Sequence, residues 1–142
     1  MSCLLWNDDD YSVQIPAIDN EHKLLVALIN EFSIALQIDE SLHSQIITEK
    51  LDKLSHCFRN HFASEERFLL FNNYPEFDAH ILEHTLLLDR LNKFESRFKT
   101  EKKAFNEKML LFLMDWLVRH IILHDRKFGH YFQNKGLSNH FG

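Results

Sequence analysis

The chain has 142 residues, with 16 Lys and Arg against 21 Asp and Glu for a formal net charge of −5, and only 3 Gly and 2 Pro. Average usage would give roughly 12% Gly plus Pro, so the frequent turns of a sandwich or barrel are excluded, and the acidic balance argues against a nucleic-acid ligand, which calls for a basic face. The other departure from ordinary composition is 10 His.

Residues 1–18 read as an irregular N-terminal arm, with Asp8, Asp9 and Asp10 as solvated loop and Trp6, Tyr11, Val13 and Ile15 available to pack. Pro16 disfavours helix before Ala17, and Asp19 is the expected N-cap of a first helix over about 20–38. Its His22, Leu25, Ile29, Phe32 and Leu36 follow the 3, 4, 3, 4 spacing of a bundle seam. A second helix over about 42–72 repeats that spacing in Leu51, Leu54, Phe58, His61, Glu65 and Phe68. Asn72, Asn73, Tyr74 and Pro75 break the chain, and Pro75 suits the first turn of the next helix. The third helix, about 76–99, carries Phe77, His80, His84, Leu87, Leu91, Phe94 and Phe98. Arg97, Lys99, Lys102 and Lys103 then flank an interhelical turn and read as a solvated connection. After Thr100 a fourth helix carries Met109, Leu113, Trp116, His120 and Leu123, and Gly129 is expected to end it near residue 128, leaving 129–142 as a partly packed tail.

Four amphipathic helices with short connections predict an all-α, antiparallel up-down-up-down four-helix bundle at about 20–128, within a single domain spanning 1–142. No stretch reaches the ~18 apolar residues of a membrane span. The opening MSCLLWNDDD lacks the parts of a secretory signal. Cys3 and Cys57 form no C-x-x-C, and two such thiols suit a reducing compartment. A cytoplasmic protein that binds neither membrane nor nucleic acid is expected, with any protein partner left open.

Seam positions should be apolar, yet His22, His61, Glu65, His80, His84 and His120 occupy them. Burying so many ionisable groups without partners costs several kcal/mol each. In an antiparallel bundle, the starts of helices one and three share an end with the finishes of two and four, so all six side chains meet in one layer. His61/Glu65 and His80/His84 are i, i+4 pairs, about 40° apart around a helix and one turn apart along it, a spacing that can grip a metal. Imidazole with carboxylate favours Fe, Mn or Zn over Mg or Ca, and the absence of Cys from the set argues against a thiolate zinc site.

These residues match a known pattern. The stretches W-x4-Y at Trp6 and Tyr11, IDNEH ending at His22, HFASEE from His61 to Glu66, HILEH from His80 to His84, and WLVRHIILHD from Trp116 to Asp125 together resemble the hemerythrins, in particular the single-domain bacterial ones. The resemblance implies a non-haem di-iron centre with a bridging oxo or hydroxo group that binds O2 reversibly. It implies that His80, His84 and His120 hold one iron, that His22 and His61 hold the other, and that Glu65 and Asp125 bridge them. Spacing alone would choose His124, four residues after His120, over Asp125, which lies about 140° around an ideal helix. The family's H-x4-D pattern points to Asp125.

On that ligand set, two octahedral irons offer about twelve positions, and the protein with one solvent bridge leaves a single position open, on the iron held by His22 and His61. Phe62, Trp116, Leu117 and Ile121 border the ligands as an apolar O2 pocket that would keep water away. The Glu-x-x-His motifs of ferritin-like carboxylate enzymes do not supply a Glu to this set. A binding protein for O2 storage, delivery or sensing is therefore preferred to an oxidase, a peroxidase-like enzyme or an iron buffer. His43, His56, His130 and His140 read as surface residues, and Cys57 as structural.

Overall fold

The protein is described here by a computed structural model over residues 4–37, 40–100 and 107–135. A short turn of helix, α1 (Asp8–Tyr11), interrupts the N-terminal arm, and α2 (Pro16–Ala35), α3 (Glu40–Phe71), α4 (Phe77–Thr100) and α5 (Glu107–Arg119) form the bundle. A π-helical turn, His120–Asp125, continues α5 into α6 (Arg126–Lys135). α2 packs along α3, α3 along α4, and α5 closes against α2. The fold is the expected all-α four-helix bundle.

Its main core is built by the seam residues. Leu25, Ile29, Phe32, Leu51, Leu54, Phe58, Leu87, Leu91 and Leu113 are all buried. Truncating one such Phe to Ala typically costs about 3–5 kcal/mol, so these positions set most of the bundle's stability. A second apolar cluster lies beyond the histidine layer, where Val13, Ile15 and Ile18 meet Phe68, Tyr74, Phe128 and Phe132.

Several boundaries differ from those expected. α2 begins at Pro16, capped by Ile15 without a side-chain hydrogen bond, because a first-turn proline gives up only an N–H that has no helical partner. Asp19 is therefore inside the first turn and is not the N-cap. Its carboxylate accepts from Ser12 Oγ at 2.6 Å and from the Val13 N–H at 2.9 Å, tying the arm to the helix. Pro75 lies ahead of α4, which starts at Phe77, in a turn where Asn73 takes a left-handed φ of 55°. Residues 38, 101–106 and 136–142, with His140, lie outside the described residues, as does the side chain of His43.

The larger correction concerns residue 129. Gly129 does not end a helix; α6 runs through it to Lys135, with Phe128 and Phe132 fully buried. Much of the expected tail is thus a packed helix that plugs the bundle end. A Cβ on Gly129 would stand 2.4 Å from the carbonyl oxygen of Val13, so glycine serves close approach of helix and arm rather than termination. Helix propensity alone would make Gly129→Ala more stable by about 1 kcal/mol. The contact with Val13 reverses the sign, and thermal unfolding of Gly129→Ala is expected to show a loss of about 1 kcal/mol or more. An unchanged or raised Tm would remove this account of the glycine.

Candidate metal centre

Each of the four bundle helices delivers its polar seam residues to one level. His22 comes from the first turns of α2, His61 and Glu65 from the end of α3, His80 and His84 from the start of α4, and His120 and Asp125 from the two ends of the π-helical turn. All seven are buried, with Glu65 and Asp125 at 0% exposure.

The π-helical turn brings Asp125, and not His124, into the buried cluster. Such a turn bonds each N–H to the carbonyl five residues back, so residue i+5, not i+4, stands beneath residue i. Asp125 therefore returns to the face of His120, with Oδ1 at 3.1 Å from its Nε2. His124 is rotated outward, partly exposed, and pairs with Glu83 at 3.0 Å. The same change of phase displaces Leu123 from the expected seam and leaves it 60% exposed.

The two carboxylates divide their oxygens. Glu65 Oε1 lies 2.6 Å from His80 Nε2 and 3.0 Å from His84 Nε2, while Oε2 lies 3.1 Å from His61 Nε2 and 3.6 Å from His22 Nε2. Asp125 Oδ1 faces His80 and His120 at 3.0 and 3.1 Å, and Oδ2 faces His22 at 2.9 Å. The donors thus form two groups, Glu65, His80, His84, His120 and Asp125, and His22, His61, Glu65 and Asp125, with the atoms of each group lying within 4.8 Å of one another. Glu65 and Asp125 belong to both.

A hydrogen-bonded polar core would not look like this. Both nitrogens of His22, His61 Nε2, Glu65 Oε2 and both oxygens of Asp125 are buried without a hydrogen-bond partner. Left so, each would cost about 1–3 kcal/mol, and more where charged. His22 Nε2 and Asp125 Oδ2 stand 2.9 Å apart yet do not hydrogen-bond. Converging lone pairs from imidazole and carboxylate fit cations placed between them, and they fit two cations better than one.

Residues 13–130 match the family described as hemerythrin HHE cation binding domain. The chain belongs to this family. The bacteriohemerythrin of Pseudomonas aeruginosa is 34% identical over 121 residues, covering 85% of this chain and 76% of that one. That of Methylococcus capsulatus is 26% identical over 129 residues, covering 91% and 96%. A crystal structure of wild-type hemerythrin superposes with a TM-score of 0.85 at 25% identity, covering 91% of this chain and 97% of that one.

Around this hemerythrin-type cluster stand two carboxylates to which the sequence reading gave no role. Glu21 Oε1 is 2.6 Å from His61 Nδ1 and its Oε2 accepts from Ser64 Oγ at 3.0 Å. Glu66 Oε2 is 2.7 Å from His84 Nδ1. Each lies next in sequence to a cluster residue, His22 or Glu65, so a rotation of about 100° carries it off the seam and behind the imidazole of the neighbouring helix. By accepting the Nδ1 proton each turns an Nε2 lone pair inward, the arrangement that usually orients metal-binding histidines. Adjacency of an acid to a seam ligand was the available signal.

The four pocket residues separate. Phe62 stacks on His84 with centroids 3.9 Å apart and planes at 8°, and Trp116 stacks on His120 at 4.5 Å and 13°. Leu117 and Ile121 instead line a small, partly open apolar cavity of about 10 Å³ with Leu4, Leu5 and Tyr11 of the arm and Val26 and Val118. His56 and His130 are exposed, as expected, and Cys57 is half-buried. Among the described residues no helix is long and apolar enough to cross a membrane.

Without cations the carboxylates gather protons. Burial opposes charge on His61, but Glu65, Glu21 and Asp125 outweigh it and raise its pKa to about 10. His80 rises to about 10 and His120 to about 9, in each case against burial and through Asp125 and Glu65. Burial pushes the other way on Glu65 and Asp125, yet the surrounding imidazoles hold both well below the ordinary carboxylate range. The raised imidazole values stabilise the metal-free fold fully below about pH 6.5, a contribution lost as pH climbs through the folded-state values. The lowered carboxylate values contribute above about pH 4 and fade in acid.

Two outcomes are expected. Histidine NMR of the metal-free chain should show His61, His80 and His120 still protonated at about pH 8, where free imidazole is neutral. Because metal binds neutral imidazole, cation affinity should then rise with pH up to the range of those pKa values. Three imidazoles already neutral at about pH 8 would contradict the electrostatic account. Separately, Asp125→Ala should lose bound metal while His124→Ala keeps it, by elemental analysis of folded protein; the reverse pattern would break the link between the π-helical turn and the site.

Proposed function

We propose that the chain binds O2 reversibly at two iron ions held by His22, His61, Glu65, His80, His84, His120 and Asp125, for storage, delivery or sensing. The observation that carries this reading is the division of each carboxylate's oxygens between a three-imidazole group and a two-imidazole group. The bacteriohemerythrin names of its relatives support it. Bound there, an iron pair would supply the two electrons needed to hold O2 and would recover them on release.

The protein's own part is to position and to insulate. Glu21 and Glu66 fix the tautomers of His61 and His84, so that Nε2 of each faces inward. Glu65 and Asp125 set the separation of the two groups. The side with only His22 and His61 has the fewest protein donors, and that is where an added diatomic would bind. Phe62 and Trp116 cover the imidazole faces of His84 and His120, while Leu117 and Ile121 with the arm form an apolar flank. A small uncharged gas crosses such a wall more readily than water or a polar substrate, which favours binding over turnover.

Anaerobic loading with Fe(II) should give two irons per chain, and exposure to O2 should produce a visible absorption band that disappears when O2 is removed and returns on re-exposure. Irreversible bleaching with release of peroxide would place the chain among di-iron oxidases. One ion per chain, or a preference for zinc, would leave an iron buffer or another metal protein.

A further inference from the structure

The net charge of −5 conceals two opposite regions. Residues 90–108 hold seven of the 16 Lys and Arg and three of the 21 Asp and Glu, a local balance of +4 against −9 for the rest of the chain. In the fold the described residues of this stretch lie in the last part of α4 and at the start of α5. Its described basic residues begin six residues beyond His84 and reach thirteen beyond it, roughly 9 to 20 Å along the helix from the metal centre.

Two adjoining clefts open there. One, of about 350 Å³, is lined by Arg90, Lys93, Phe94, Ser96 and Arg97. The other, of about 380 Å³, shares Arg90, Phe94 and Arg97 and adds Lys108, Met109 and Phe112. Arg90 lies over both aromatic rings, 5.8 Å from Phe94 and 5.0 Å from Phe112, which holds its guanidinium on a rigid apolar floor between the clefts. Lys93 meets Asp89 at 3.1 Å, but both are well exposed, and such a pair contributes little.

We propose that this end of the bundle is a docking face for an acidic protein partner, whose carboxylate side chains enter the two clefts beside Phe94. Charge complementarity selects the class. An acidic partner is attracted to the four cations that line these clefts, Arg90, Lys93, Arg97 and Lys108, while the rest of the chain sums to −9, so encounter at this face is favoured. Guanidinium groups suit carboxylates geometrically as well as electrically. A nucleic-acid strand fits less well, since the local excess of +4 falls short of the roughly 6–10 phosphates that a typical binder neutralises. A bilayer fits less well too: Phe94 is recessed at 7% exposure, so the apolar floor does not project for insertion. This inference does not depend on which ligand the metal centre binds.

The test uses fluorescently labelled poly-L-glutamate as the probe, with the metal-loaded full chain, at low salt. Lys93→Glu/Lys108→Glu places one reversal in each cleft and should weaken binding about tenfold or more. Lys50→Glu/Lys135→Glu makes the same change in total charge elsewhere and should weaken it less than about threefold. Unchanged helicity and metal content would show that both variants are folded. The proposal is overturned if the unaltered chain does not bind polyglutamate, if the two double variants lose affinity equally, or if anionic vesicles or a single-stranded oligonucleotide bind more tightly than polyglutamate.

Discussion

Two carboxylates at zero exposure, Glu65 and Asp125, surrounded by five imidazoles, are the constraint to which the rest of the fold answers. A buried charge without compensation costs several kcal/mol, and breaking a buried pair costs about as much again. Here the compensation is arranged from all four bundle helices at once, so no helix can slide or rotate without stranding a charge. The seam residues above this layer supply generic apolar stability. The layer itself supplies register, because only one alignment of the helices brings Glu65 Oε1 to His80 and Oε2 to His61.

Satisfying that constraint requires backbone irregularity. A regular α-helix cannot present His120 and Asp125 on one face, and the π-helical turn that does so also turns His124 and Leu123 outward. Below the turn, the bundle end needs cover. α6 provides it with Phe128 and Phe132, and it packs against the arm closely enough that residue 129 has no space for a Cβ. The hydrogen bonds from Ser12 and Val13 to Asp19 hold the arm in that position. Arm, π-helical turn and α6 are therefore parts of one enclosure around the charged layer.

This division explains what could be read in the residue order. Periodic spacing in α2, α3 and α4 placed His22, His61, Glu65, His80 and His84 on buried faces, because regular helices convert sequence separation directly into angle. Periodicity failed where the helix departs from 3.6 residues per turn: Asp125 was reached through the family's motif, and Leu123 was misplaced. Gly129 and Asp19 were misread for a related cause. Glycine near a helix end and aspartate near a helix start have common local uses, whereas their roles here come from a segment more than a hundred residues away in one case and from the arm's return path in the other. Glu21 and Glu66 gave no periodic signal, since their partners lie on neighbouring helices.

Average charge misled in the same way that average periodicity did. A formal −5 correctly argued against a broadly basic face, but it is the sum of a positive hairpin end and a more strongly negative remainder. Among the described residues the positive charge lies on α4 and the start of α5, while the negative charge is spread over the arm and the other helices. The negative remainder includes Glu65 and Asp125, which stay ionised among the imidazoles, so the cluster's surroundings cannot be made basic without disturbing it. On the docking proposal an acidic macromolecule is drawn to the α4–α5 clefts and repelled by Asp8, Asp9 and Asp10 of the arm. The two clefts and the apolar flank with Leu117 and Ile121 share no lining residue, so the two surfaces can work at the same time.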